Sequence, residues 1–174
     1  MKKFFSFSGT ISGTTFLLRI LFVFLLMFPF IVAIIAKWTT YFISLGNFDI
    51  SDQSMENQME IQSFGDELAQ KMAENPEFYL NDFMDSFTIG WIVIFILTMI
   101  PPIWFGLATY YKRVSALFYD QRKEIFAALI LFEIVSDYIV LSNSGIITTM
   151  VSLIGLIIFG FLTLNNSKFE KHEG

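Results

Sequence analysis

The 174-residue chain is 55% hydrophobic and only 16% charged, with a mean hydropathy of +0.61 and a net charge of −5. A water-soluble domain of this size has no core large enough to hide such a composition. Cysteine is absent and the one histidine is His172, which excludes thiol chemistry, disulfides, the usual zinc sites and a buried histidine base. No cofactor or metal is expected, and no enzyme, because no nucleophile, base or metal set is legible.

Lys2 and Lys3 open the chain, followed by Phe4-Phe5-Ser6-Phe7 and by Gly9-Thr10-Ile11-Ser12-Gly13. The apolar block over 16–36 is longer than the apolar stretch of a leader peptide, and no small-x-small cleavage site follows it. It predicts a first membrane helix over about 16–38, with Arg19 near its inner end and Lys37 and Trp38 at its outer end. Pro29 should bend it.

The segment 47–86 changes character. Asp49, Asp52, Glu56, Glu60, Asp66, Glu67, Glu74, Glu77, Asp82 and Asp85 stand against a single cation, Lys71. Met55, Met59, Phe64, Leu68 and Met72 recur at helical spacing, and Asn75-Pro76-Glu77 reads as a break and a new helix start. The expectation is two short amphipathic helices whose Met-rich stripe suits an adaptable binding surface. The alternative is that the stripe packs on the protein's own spans or on the membrane surface. Asp49, Asp52 and Glu56 lack the spacing and the turn glycine of a calcium loop.

Apolar sequence resumes over 88–111, a second span containing Pro101-Pro102 and ending against Lys112 and Arg113. Arg122, Lys123 and Glu124 precede a third span over 125–141, which carries Glu133 and Asp137. Ser142-Asn143-Ser144-Gly145 is a turn, and 146–164 is the fourth span.

The predicted fold is therefore an all-α membrane protein of four transmembrane helices, with an acidic helical insert between the first and the second. Lys2, Lys3, Lys112, Arg113, Arg122, Lys123, Lys168 and Lys171 fall on one side of such a fold, and the positive-inside rule makes that side cytoplasmic. Both termini are then cytoplasmic and the acidic insert faces outward. Lys112, Arg113, Arg122 and Lys123 form a cytoplasmic basic cluster, read first as a determinant of topology and second as a site for anionic lipid. Four cations beside a membrane make no extended groove, so nucleic acid is not an expected partner.

Two stretches, Phe5-Ser6-Phe7-Ser8-Gly9-Thr10-Ile11-Ser12-Gly13 before the first span and the segment 101–113 at the end of the second, resemble the small bacterial inner-membrane proteins grouped as domain of unknown function 805. That family usually carries a Gly-Arg-Ile-Ser-Arg type segment and an Arg-Arg-Leu-His-Asp type segment. Here Gly9-Thr10-Ile11-Ser12-Gly13 lacks both arginines, and Lys112-Arg113-Val114-Ser115-Ala116 keeps the basic pair without the His and Asp. The resemblance implies a multipass protein of the bacterial cytoplasmic membrane. It implies no activity.

Glu133 and Asp137 are four residues apart and share one face of the third helix, with Ser136 alongside. A carboxyl near the bilayer centre costs roughly 2.5–3.5 kcal/mol unless it meets protein, water or a cation. Both are expected to face protein, with Lys37 as a partner for Asp137. The leading functional expectation is a non-enzymatic subunit or accessory protein that binds other membrane or envelope proteins. The alternative is a small proton-coupled transporter or channel using these carboxylates, although no internal repeat of the kind common in transporters is present.

Overall fold

The computed structural model describes residues 2–46, 48, 51–142 and 145–167. Asp49, the middle of the turn at 143–144 and the tail from Lys168, with Lys171 and His172, lie outside the described residues, as do the side chains of Lys2 and Lys3.

Every regular element among the described residues is a helix: α1 (Lys2–Phe5), α2 (Gly13–Leu26), α3 (Phe28–Gly46), α4 (Met55–Glu74), α5 (Pro76–Asp85), α6 (Ile89–Leu117), α7 (Arg122–Ser142) and α8 (Ile146–Leu164). Four segments are long and apolar enough to cross a membrane: α2 with α3, then α6, α7 and α8. Only 11, 22, 6 and 6% of their most apolar windows are buried within the chain, so most of their Leu, Ile, Val and Phe side chains point outward. Such a surface is unstable in water and ordinary in lipid. It is consistent with a multipass membrane protein.

Prolines shape two of these segments. α2 stops at Leu26 and α3 starts at Phe28. Pro29 then sits in the first turn of α3, where an N–H is not needed, and the carbonyl of Leu25 loses the donor a continuous helix would offer. In α6, Pro101 and Pro102 lie within one uninterrupted helix, which leaves the carbonyls of Leu97 and Thr98 without their usual donors. That helix does not stop before Lys112 and Arg113, as the sequence suggested, but carries them inside and continues to Leu117.

The chain divides into two compact units, Met1–Leu26 with Ile100–Gly174, and Met27–Met99. The core of the first gathers Ile11, Phe16, Val114 and Leu162, each at most 2% exposed, with Ile20, Tyr110, Phe118, Phe126 and Phe159 packed around them. It thus joins α2, the end of α6 and the end of α8. Gly9 has φ +89°, a left-handed backbone that glycine adopts without penalty, and it turns the segment after α1 into this core.

In the second unit, aromatic rings hold α3 against the helices that follow. Phe42 and Phe48 meet Phe64 of α4, while Trp38 and Tyr41 meet Phe83 of α5, with centroids 5.1–5.4 Å apart. Ser54 caps α4 by accepting the N–H of Asn57. Asn75 both ends α4, donating its N–H to the carbonyl of Lys71, and caps α5 ahead of Pro76. The Lys71–Glu67 ion pair at 2.7 Å is exposed; hydrogen bonding to Glu67 raises the Lys71 pKa, yet such a surface pair stabilises a helix little.

Candidate functional site

The last carbonyls of a helix have no donor within it, and those of α8 fall where α6 brings an arginine. Arg113 is fully buried. Its Nε donates to the carbonyl of Leu162, its Nη2 to that of Asn165 at 2.5 Å and its Nη1 to that of Ile11 at 3.0 Å. One guanidinium therefore caps the negative end of the α8 dipole and ties the segment before α2 to it. The fit is close: a Cβ on Gly13 would lie 1.8 Å from the carbonyl oxygen of Thr163. Beside the clamp lies a polar cleft of about 460 Å³ lined by Ser12, Gly13, Thr14, Arg113, Thr163, Leu164, Asn165, Asn166 and Ser167.

The segments 5–13 and 101–113, which carry the resemblance described above, pack on each other. Trp104 donates its indole N–H to the Phe5 carbonyl at 2.9 Å. The Phe7 ring lies against Trp104 and Tyr111. Arg19, only 4% exposed, places its guanidinium 4.5 Å from the Phe4 ring centroid and 5.7 Å from that of Phe105. It lies among aromatic faces, and its Nη1 donates to the Phe4 carbonyl at 3.5 Å. Its Nε has no hydrogen-bond partner among the described residues.

The basic cluster expected from the sequence is not assembled. Lys112 and Arg113 are 0% exposed within the bundle, and Lys112 is close enough to Arg19 to feel its charge. Arg122 lies over the Tyr119 ring and donates to the Tyr119 carbonyl. Arg122 and Lys123 share their turn with Asp120 and Glu124, so the exposed patch there is of mixed sign. The reason is that α6 continues one turn past Arg113, with Val114 and Ala116 buried in the core.

Lys37 also departs from expectation. It is 3% exposed, and its ammonium donates to the Ser86 carbonyl at 2.9 Å and to the Ser86 hydroxyl at 2.6 Å, with the Phe87 ring centroid 5.0 Å away. Its partners are thus the end of α5 and not a carboxylate. One turn further along α3, Tyr41 donates its hydroxyl to Asp82 Oδ2 at 2.6 Å. These two bonds fasten α5 to α3, and neither was legible in the sequence, since both join residues more than forty positions apart.

The Met-rich stripe divides. Leu68 is buried, Phe64 packs on Phe42 and Phe48, and Met72 lines an apolar cavity with Trp38, Pro76, Tyr79, Leu80 and Phe83. Met55 and Met59 are 77% and 60% exposed. The C-terminal part of the stripe serves the chain's own fold, and its N-terminal part stays open.

Glu133 and Asp137 are both largely exposed on α7. In the second half of that helix the half-buried residues are Phe132, Ser136 and Ile139, with Phe132 against α8 near Gly155, while Ile125, Phe126 and Leu129 of its first half pack on the core. The carboxylates stand beside Phe132 and Ser136. Ser136 Oγ is shielded and has no hydrogen-bond partner among the described residues. No group of three or more His, Cys, Asp or Glu among the described residues could hold a metal ion.

The class these observations define is a helical protein with four apolar segments able to cross a membrane. No family model matches the chain, and comparison with curated proteins and with solved structures finds no match either.

Proposed function

We propose that the chain is a non-enzymatic accessory subunit of the bacterial cytoplasmic membrane that binds other membrane or envelope proteins. The observation that carries this reading is the exposure of Glu133 and Asp137 on a helix apolar enough to cross the bilayer. Two carboxyls are costly in lipid, and both side chains are largely exposed, with Glu133 at the edge of the packing against Tyr110 of α6 and Asp137 further from it. A covering protein removes the cost.

The distribution of Lys and Arg supports cytoplasmic termini, with α4 and α5 on the outer side. There Met55 and Met59 offer a second, adaptable contact. The resemblance of two short segments to the domain of unknown function 805 proteins is in keeping with this location and adds no activity. A proton-coupled transporter needs carboxylates along a polar path. The polar cleft at Arg113 contains neither Glu133 nor Asp137, and transport therefore ranks second.

The test is affinity purification from native membranes in mild detergent, comparing the parent with Glu133→Leu/Asp137→Leu. The proposal expects a defined protein to accompany the parent and to be lost from the variant, although the variant still inserts. Identical companions for both would refute a binding role for α7.

A further inference from the structure

We infer that the partner seated on α7 is a transmembrane helix of a different protein, carrying a lysine or arginine at mid-membrane depth. This rests on the binding role proposed above and specifies its chemistry.

The first ground is depth. At about 1.5 Å per residue, Glu133 lies roughly 16 Å from Arg122 at one end of α7, and Asp137 roughly 7 Å from Ser142 at the other. Neither carboxyl can reach headgroups easily on so short a side chain. The second ground is geometry. Residues 133 and 137, with the exposed Ile134 and Leu141 at 62% and 88%, form a continuous strip one helix can cover. No residue of α7 is fully buried, and the packing of Ile125, Phe126 and Leu129 on the core leaves Ile134, Asp137 and Leu141 exposed. The third ground is charge. A strip of two carboxyls with apolar flanks is matched by a cation on an apolar helix.

A second copy of this chain cannot supply that cation. Arg19, Lys37, Lys112 and Arg113 are the cations within its apolar segments past their first turns, and all are between 0 and 4% exposed. Arg113 is committed to three carbonyls and Lys37 to Ser86. Arg122 and Lys123 begin α7 at the far end from Asp137. Self-association would therefore set carboxyl against carboxyl, and a heterologous basic helix is the occupant that fits.

The test uses the full chain, carrying a fluorophore on a cysteine at Ser51, reconstituted in phosphatidylcholine vesicles. The probe is a synthetic polyleucine transmembrane peptide bearing one central lysine and an acceptor dye. Energy transfer is compared with an all-leucine peptide, with the chain bearing Glu133→Gln/Asp137→Asn, and between copies of the chain labelled with donor and acceptor. We expect the lysine peptide to associate roughly 5- to 30-fold more tightly than the leucine peptide, and this preference to vanish in the variant. Circular dichroism of the variant in the same vesicles establishes that it has folded. Equal transfer from both peptides, a preference that survives in the variant, or transfer between copies that depends on the carboxyls would each overturn the inference. If the inference fails but native membranes still yield a companion lost with Glu133→Leu/Asp137→Leu, the accessory-subunit reading stands without the basic helix. If native membranes yield none, that reading fails on its own account.

Discussion

Arg113 Nη1 donates to the backbone carbonyl of Ile11 at 3.0 Å, across 102 positions of sequence. The same side chain holds the carbonyls of Leu162 and Asn165, so the start of α2 and the end of α8 depend on one buried cation. Replacing it with methionine keeps the volume and removes every donor. Arg113→Met should lower stability by about 3 kcal/mol or more, since three carbonyls lose a charged donor. Arg113→Lys should recover little of it, because an ammonium cannot fork toward three acceptors as a guanidinium does. Thermal unfolding in detergent, followed by tryptophan fluorescence, checks both.

Gly13 and Gly160 give opposite expectations. A Cβ at Gly13 meets the Thr163 carbonyl at 1.8 Å, whereas one at Gly160 in α8 meets nothing within 4 Å. Gly13→Ala should force the two backbones apart and destabilise the chain. Gly160→Ala should be neutral or stabilise by up to about 1 kcal/mol, the intrinsic gain of alanine over glycine in a helix. The same unfolding measurement separates them, and equal effects would contradict the close approach at Gly13.

Lys37 and Tyr41 should act as fasteners of α5. Lys37→Met removes the donor to the Ser86 carbonyl and hydroxyl and should cost roughly 1.5–3 kcal/mol, as for hydrogen bonds to a charged group. Tyr41→Phe frees an Asp82 carboxylate that is exposed to solvent and should cost about 1 kcal/mol. In both variants, amide exchange should accelerate over Pro76–Asp85 more than over α8.

The apolar segments were legible because hydropathy and length report directly on what lipid tolerates. The fate of the polar residues was not. Lys112 and Arg113 read as a solvent-facing end, and only the apolar run Val114-Ser115-Ala116-Leu117 after them hinted that the helix continued. Arg113's acceptors are backbone carbonyls of α8 and the N-terminal segment, which no pattern in α6 can announce. Depth along the spans suggests Asp137 as a partner for Lys37, while its actual partner, Ser86, is set by how α5 folds back on α3. Glu133 and Asp137 stand out as acids within an apolar run, but helical spacing gives only their common face. It does not say whether that face turns toward the chain's own bundle.

Orientation can be tested cleanly because the chain contains no cysteine. Single cysteines at Ser51 and Ser167, probed with an impermeant thiol reagent on intact cells, should give labelling at 51 and none at 167 until the membrane is opened. The reverse pattern would invert the proposed topology.

The most direct measurement of the central claim, that another protein covers the carboxylate face of α7, is photo-crosslinking in native membranes. A photoreactive residue at Ile134, beside Glu133 and Asp137, is compared with one at Val135 on the opposite side of the helix; the parent residues are 62% and 47% exposed. The account predicts that position 134 yields one discrete protein adduct, mapped to a membrane helix bearing Lys or Arg. Position 135 should give chiefly lipid adducts, and the protein adduct should vanish with Glu133→Leu/Asp137→Leu. Lipid adducts alone at position 134 would show two carboxyls facing the bilayer unaccompanied and would contradict the account.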